Sequence, residues 1–313
     1  MPSSREAVPG ELDEMRGELV GFSYRMLGSP FEAEDAVQET LLRAWQHGDR
    51  FDPAKGSLRT WVYRIATNVC LDMLRSARRR GLETAGPPGE MGSPLPEDAW
   101  VLPMRDDPAE VAARRDTVRL AFVAALQHLP PRQRAVLILR DVLCWRADEV
   151  AALLDVSVAA VTSALQRARE GIRRADLDRP SPLDDAAKLD LVARYTDAFH
   201  RHDVAAMVAL LQEDAIFTMP PFTWWIRGRA EIGAVMAASD SCVGARLTTD
   251  SYNGTPASWQ WREGEPFALV VYEFGDSLIR STTTFLTPAL PRLSRFASAF
   301  PAYAVSPAAN PTP

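Results

Sequence analysis

The sequence predicts a multidomain chain in which two all-α units precede an α+β unit. Three observations carry that reading. Apolar residues recur at helical spacing up to about residue 80 and again over 109–178; strand-like runs occur only after residue 183; and Gly/Pro-rich breaks separate the units. A length of 313 residues suits two or three domains, and 47% hydrophobic with 24% charged residues is enough apolar material to bury their cores.

The first unit, 10–80, reads as helical. Val37, Leu41, Ala44 and Trp45 form one apolar stripe, with Asp35, Gln38, Glu39 and Arg43 outside it. The segment His47-Gly-Asp-Arg-Phe-Asp-Pro-Ala-Lys-Gly56 breaks the helix, and Ser57 is placed to cap a long one whose buried side is Leu58, Trp61, Val62, Ile65, Val69 and Met73. Its polar side, Arg64, Asn68, Asp72, Arg75 and Arg79, runs into the cluster Arg78-Arg79-Arg80. Residues 81–108 read as an acidic Pro/Gly linker. Trp100, Val101 and Leu102 are its apolar cluster, for which docking on a neighbouring domain is favoured over a direct functional contact.

The second unit, 109–178, opens with a helical run to His128, and the prolines of Leu129-Pro-Pro-Arg-Gln-Arg134 end one helix and start the next. A short helix over Arg146 to Leu154 points Val150, Leu153 and Leu154 inward. Asp155-Val156 turns the chain, and Ser157 caps a second helix with Val158, Val161, Leu165, Ala168 and Ile172 inward. That is a helix-turn-helix pattern. Its outward residues are Ala159, Ser163, Gln166, Arg167, Glu170 and Arg173, with Thr162 and Arg169 at the edges.

The third unit, 183–290, is expected to hold helices over Leu183–Arg201, Val204–Leu211 and Arg229–Ala238. Strands are expected over Ala215–Met219, Ala245–Tyr252, Ser258–Arg262, Phe267–Phe274 and Leu278–Leu286, forming a curved antiparallel sheet. A Pro/Ala-rich tail, 291–313, follows.

The net charge of −6 is unevenly spread. Glu6 to Asp52 holds 4 basic against 11 acidic residues, and Lys55 to Arg80 holds 7 against 1. The segments 81–112 and 113–179 carry −6 and +4. An acidic surface followed by a basic one suits a chain that grips a basic protein with one face and phosphates with another. Cys70, Cys144 and Cys242 are too far apart for a CxxC pair and too few for a disulfide framework, which points to a reducing cytoplasm. The amino terminus is acidic, and no uncharged apolar run approaches the roughly 20 residues of a membrane span, so neither export nor a membrane partner is expected.

The runs Asp35-Ala-Val-Gln-Glu-Thr-Leu-Leu-Arg-Ala-Trp45 and Trp61-Val-Tyr-Arg-Ile-Ala-Thr-Asn-Val-Cys-Leu-Asp-Met-Leu-Arg75 resemble regions two-point-two to two-point-four of extracytoplasmic-function (ECF) sigma factors of the sigma-70 family. Leu129-Pro-Pro-Arg-Gln-Arg134 and Ser157-Val-Ala-Ala-Val-Thr-Ser-Ala-Leu-Gln-Arg-Ala-Arg169 resemble region four of that family. Residues 183–290, through Phe217-Thr-Met-Pro-Pro221 and Trp224-Trp-Ile-Arg-Gly228, resemble the SnoaL-like (NTF2-like) extension of its SigG-like members. The implied fold is two all-α sigma domains plus an α+β cone.

The resemblance implies two macromolecular partners, core RNA polymerase (β′ clamp helices and β flap) and promoter DNA. Asp35, Gln38, Glu39 and Leu42 would contact the polymerase. Arg64, Asn68, Asp72, Arg75, Arg78 and Arg79 would face the −10 element, Asn68 offering donor and acceptor to an unstacked base. The His47–Gly56 loop would receive a flipped base. Thr162, Ser163, Gln166, Arg167, Arg169 and Arg173 would enter the major groove at the −35 element; Ala164, where the family often has a longer polar group, removes one contact. Plainer readings compete: solvated helix faces, and an Asp72–Arg75 or Asp72–Arg64 intrahelical ion pair.

For the last unit, Phe217, Met219, Phe222, Trp224, Trp225, Trp259, Trp261 and Tyr272 are candidates to line a pocket, with ordinary core as the competing reading. Catalysis would need a His/Asp or paired-carboxylate arrangement inside it. His200 and His202 beside Asp203 read instead as a helix corner. No catalytic residue, metal or cofactor is therefore assigned. A small-molecule ligand and an anti-sigma factor are further partners the resemblance allows. The reading is a cytoplasmic sigma factor modulated in cis by its last domain. Its rivals are a helix-turn-helix regulator with a ligand-sensing domain and a SnoaL-like enzyme fused to a DNA-binding module.

Overall fold

The computed structural model describes residues 10–54, 56–76, 93–106, 119–174, 181–239, 243–286 and 293. In the first unit, α1 (Arg16–Leu27) stops at Gly28, whose φ of 76° turns the chain while its N–H donates to the Tyr24 carbonyl. α2 (Pro30–Gln46) has Ser29 as N-cap and proline at its first position. A 3-10 turn (Gly48–Arg50) leads to α3 (Leu58–Ser76), where Ser57 Oγ accepts from the Thr60 N–H at 3.1 Å.

Two buried faces differ from expectation. The α3 core side centres on Val62, Tyr63, Ala66, Val69 and Cys70, while Leu58, Trp61, Ile65 and Met73 are only partly covered. The helix is packed on one side by α1 and α2 and on another by the second unit, so it buries a wider arc than one amphipathic stripe. On α2, Val37 and Ala44 are buried but Trp45 is 70% exposed. It ends a second, outward stripe.

The second unit comprises α4 (Leu120–Gln127), α5 (Pro131–Leu137) continued by a π turn (Ile138–Val142), α6 (Ala147–Leu154) and α7 (Val158–Arg174). Asp155 takes a left-handed φ of 54° between α6 and α7, and Ser157 Oγ accepts from the Ala160 N–H at 3.2 Å. Val158, expected inside, is 46% exposed, because as the first residue of α7 it lies beyond the edge of the packed surface. Val161, Leu165 and Ala168 are buried. The two helical units share one hydrophobic core that runs from Leu19 and Phe22 through Tyr63 to Leu126, Trp145 and Val161.

The third unit is an α+β cone: α8 (Asp185–His200), α9 (Val204–Ala209), β1 (Leu211–Thr218), β2 (Trp225–Arg227), α10 (Arg229–Ala237), β3 (Arg246–Tyr252), β4 (Thr255–Arg262), β5 (Glu265–Phe274) and β6 (Ile279–Phe285). The sheet order is β2-β1-β6-β5-β4-β3. It is mixed, not antiparallel, because β1 lies parallel to β6 after a crossover through α10 and the rest of the sheet. The second helix stops at Ala209, short of the expected Leu211, which instead starts β1. Leu210 and Leu211 are both buried, so the chain changes period between them. The three-residue β2 was not expected.

The sheet has two apolar faces. Val270, Tyr272, Phe274 and Ile279 point into the cone against α8–α10. Ala257, Trp259, Leu269, Val271 and Phe285 point the other way, onto Val101 and Leu102 of the linker, Tyr24 and Ala33 of the first unit, and Leu120 and Val123 of α4. The linker cluster thus docks on a neighbouring domain. Alternation along β5 assigns successive residues to opposite cores.

Candidate nucleic-acid interface

Along α3, Arg64, Asn68, Asp72 and Arg75 are all exposed and stand on one side of the helix. Asp72 pairs with Arg75 at 3.0 Å with both side chains largely in solvent, a weak pair that leaves the guanidinium open to phosphate. Arg64 is engaged: it donates to the Ala152 carbonyl of α6. Arg78 and Arg79 lie outside the described residues.

On α7, Thr162, Ser163, Gln166, Arg167, Arg169 and Arg173 are exposed. Their preorganisation is local. Arg167 donates to Ser163 Oγ at 2.6 Å, and Gln166 lies 3.4 Å from Glu170. Arg169 forks onto Asp141 at 2.7 and 2.8 Å, which raises the already high arginine pKa through that carboxylate and ties α7 to the end of the π turn. Sequence reasoning missed this tie, since residues 28 apart carry no periodic signal. Beside it runs a groove of about 840 Å³ with Phe122, Leu137, Val142, Leu165 and Ile172 among its lining residues.

On α2, Asp35, Gln38 and Leu42 are exposed, and Glu39 is half-buried in an ion pair with Arg43 at 2.6 Å. Leu42 at 47% and Trp45 at 70% exposure complete a stripe at 35, 38, 42 and 45. A polar face with two large apolar side chains in its lower half has the composition of a protein-binding surface.

The predicted pocket aromatics divide between the two sides of the sheet. Phe217, Met219, Phe222, Trp224 and Tyr272 belong to the cone interior; Trp259 and Trp261 belong to the opposite core. Trp225, on β2, is half-buried and part of neither core. Inside the cone, Tyr272 Oη donates to Ser258 Oγ at 3.0 Å, and burial pushes the phenol far above its ordinary range, so it stays neutral. Asp203 caps α9 through the Ala206 N–H at 2.9 Å, in keeping with the helix corner its position suggests, whereas His200 Nε2 reaches across to accept from the Leu247 N–H of β3 at 2.9 Å. Among the described residues no cluster of three His, Cys, Asp or Glu is placed to hold a metal, and no helix is long and apolar enough to cross a membrane.

Family comparisons fit this layout. Residues 12–80 match the Sigma-70 region 2 model, 119–170 the Sigma-70 region 4 model and 192–261 the SnoaL-like domain model. The chain is 43% identical over 297 residues to ECF RNA polymerase sigma factor SigG of Mycobacterium tuberculosis, covering 88% of this chain and 80% of that one. It belongs to the ECF sigma factors. A second member from the same organism, SigJ, is 32% identical over 211 residues, 66% of this chain and 63% of that one. The crystal structure of M. tuberculosis SigJ superposes with a TM-score of 0.64 at 22% identity, covering 89% of this chain and 96% of that one, and so shares the three-part fold.

As an ECF sigma factor, the chain is a promoter-specificity subunit of RNA polymerase with a SnoaL-like domain at its carboxyl end. Region two holds α1–α3, region four α4–α7, and the SnoaL-like domain the mixed sheet. Between them, residues 104–106 of the linker are held by the SnoaL-like β3–β4 hairpin. Met104 and Asn253 exchange hydrogen bonds, Met104 N–H to Asn253 Oδ1 at 3.0 Å and Asn253 N–H to the Met104 carbonyl at 2.9 Å. Arg105 pairs with Asp250 at 3.1 Å, and the Asp106 carboxylate accepts from the Gly254 N–H and Ser251 Oγ.

Proposed function

We propose that the sigma factor works in the cytoplasm, without covalent chemistry, by docking on core polymerase through α2, capturing unstacked −10 bases on α3 and reading the −35 duplex with α7. The observation that carries this reading is the separation of three exposed faces with different chemistry on three helices. They are a carboxylate/amide stripe ending in Leu42 and Trp45, an Arg/Asn stripe over Arg64–Arg75, and a Thr/Ser/Gln/Arg face over Thr162–Arg173. Asn68, exposed between Arg64 and Asp72, can hydrogen-bond a splayed base on its Watson–Crick edge, and Gln166 and Arg167 can pair with adenine and guanine in the major groove. Arg78 and Arg79 extend the phosphate-binding run. The apolar groove beside α7 suits a short amphipathic helix, and the polymerase flap is its assigned occupant.

The SnoaL-like domain modulates this activity in cis. Support comes from its grip on the linker and from the cover that Val101, Leu102, Leu120 and Val123 give its outer sheet face. A strap fixed at Met104–Asp106 restrains how far region four can move from region two.

Purified chain mixed with core polymerase should start transcription at its own promoter and bind duplex alone only weakly. Binding to promoter duplex without any gain from polymerase would favour the helix-turn-helix regulator instead. Deleting residues from about 183 onward should change transcript yield; unchanged output would remove the cis role.

A further inference from the structure

The start of α7 carries apolar side chains that the fold does not use. Val156 is 36% and Val158 46% exposed, and with Ser157, Ala159 and Ala160 they make an unbroken exposed run where α6 turns into α7. The buried row of that helix, Val161, Leu165 and Ala168, begins only after this run. Valine is a poorer helix former than alanine, so Val158 at the first helical position serves neither helix propensity nor the core. Between Asp155 and Arg167 the chain has no charged residue.

The polar side chains at this end of the helix are engaged within it. Ser157 Oγ accepts the Ala160 N–H at 3.2 Å, Thr162 Oγ1 donates to the Val158 carbonyl at 3.1 Å, and Ser163 Oγ accepts from Arg167 at 2.6 Å. Thr162 stands one turn beyond Val158 in the same row, and the proton that a base acceptor would need from it goes to the backbone. The exposed face of α7 therefore has two halves: an uncharged, largely apolar amino-terminal half, and a carboxyl-terminal half with Gln166, Arg167, Arg169 and Arg173. A recognition helix brings its amino-terminal residues to the base edges of the major groove. Among the groups on those edges only the thymine C5-methyl is apolar. Valine methyl groups packed on it remove apolar surface from water. Packed on a G·C pair, the same groups would strip water from donors and acceptors and return no hydrogen bond.

We infer that Val158, flanked by Val156 and Ala159, selects a thymine in the −35 element by contact with its methyl group, so that at least one A·T pair there is recognised by apolar contact and not by hydrogen bonding. The inference rests on reading α7 as the −35 surface, and it names what the amino-terminal half of that surface reads. Discrimination then has two parts. Hydrogen bonds from Gln166 and Arg167 choose bases on one side of the site, and the Val158 tip rejects G·C on the other.

The test uses holoenzyme assembled from the full-length chain and core polymerase, on promoter duplexes in which each −35 thymine, on either strand, is replaced singly by deoxyuridine. That exchange deletes the methyl group and keeps the hydrogen-bonding edge. Wild-type affinity should fall about fourfold at one position at least, the effect of one buried methyl group. Val158→Ala should bind the thymine promoter more weakly by a similar factor and should no longer tell thymine from deoxyuridine at that position. Its site is exposed and alanine favours the helix, so the variant should fold; Val158→Ile, which keeps the branched surface, should keep the discrimination. A wild type indifferent to deoxyuridine throughout, a −35 element without an A·T pair, or a Val158→Ala that still discriminates would each overturn the inference. So would a Val158→Ala that loses affinity for core polymerase without DNA, since the patch would then be a protein contact. Gln166→Ala and Arg167→Ala, measured alongside, separate this outcome from failure of the underlying reading. If they change −35 preference while deoxyuridine has no effect, only the methyl contact falls; if neither they nor deoxyuridine matter, α7 is not the −35 surface.

Discussion

Asn253, at the tip of the β3–β4 hairpin, donates through Nδ2 to the Tyr24 hydroxyl of α1 at 2.7 Å, and Tyr24 passes a hydrogen bond on to the Leu102 carbonyl at 2.9 Å. Both side chains are fully buried. Burial raises the Tyr24 pKa well beyond its ordinary range, so the hydroxyl stays protonated and remains a donor in mildly alkaline solution. One phenol therefore ties region two, the linker and the SnoaL-like domain together. Tyr24→Phe removes the bridge while keeping the ring, and should cost about 1–2 kcal/mol of stability in urea unfolding. A change within error would mean that the junction does not depend on that hydroxyl.

Acidification should loosen the cone. His200 accepts from the Leu247 N–H, which requires a neutral ring; burial and the nearby Arg246 lower its pKa below the usual 6.5, while Asp197 pulls the other way. A base whose folded pKa is depressed binds fewer protons folded than unfolded. The stability it contributes is therefore present above about 6.5 and is lost as pH falls from there through the folded value. Thermal melting should show this slope in the wild type. His200→Gln, which has no titration in that range, should flatten it; an equal slope in both would assign the effect elsewhere.

How far the sequence could be read depended on the range of each signal. Helix periodicity is local, so the α7 inward set Val161, Leu165 and Ala168 and the caps Ser57, Ser157 and Asp203 were legible. The pairing of β1 with β6 was not, because nothing in either strand records a partner some 65 residues away. Trp259 and Trp261 are candidates for pocket lining with ordinary core as the competing reading, and they lie in a core, but on the far side of the sheet from the cone. Ser258 and Gln260, alternating with them, occupy the cone side, and that polar pair was the available sign that the tryptophans face a second core. The candidate promoter stripes were visible as exposed polar faces, but the engagement of Arg64 by Ala152 and of Arg169 by Asp141 depends on packing between helices far apart in sequence.

The α2 stripe predicts where polymerase binding energy concentrates. Leu42 and Trp45 are exposed in the free chain, so removing either should leave its stability within about 0.5 kcal/mol. An exposed Trp that becomes buried in an interface is a frequent hot spot worth about 2 kcal/mol or more. Trp45→Ala should therefore weaken binding to core polymerase by roughly thirtyfold with an unchanged melting temperature. Full affinity in that variant would move the docking surface away from the carboxyl end of α2.

Specificity and affinity at the −35 surface should separate by residue. Gln166 and Arg167 stand in the middle of the exposed α7 face, where bidentate base contacts are worth about 1–3 kcal/mol of discrimination each. Arg173, in the last turn of α7, is placed for phosphate. Gln166→Ala and Arg167→Ala should flatten the preference between the native −35 sequence and single-base variants in open-complex assays, with little change in salt dependence. Arg173→Ala should instead weaken all sequences alike and reduce the slope of log affinity against log salt by about one. Arg169 is the informative control: its guanidinium is already forked onto Asp141, so Arg169→Ala should lower the stability of region four as well as DNA affinity. If Arg169→Ala altered only base preference, the Asp141 tie would have to break on DNA, and α7 would read one position more than its free geometry offers.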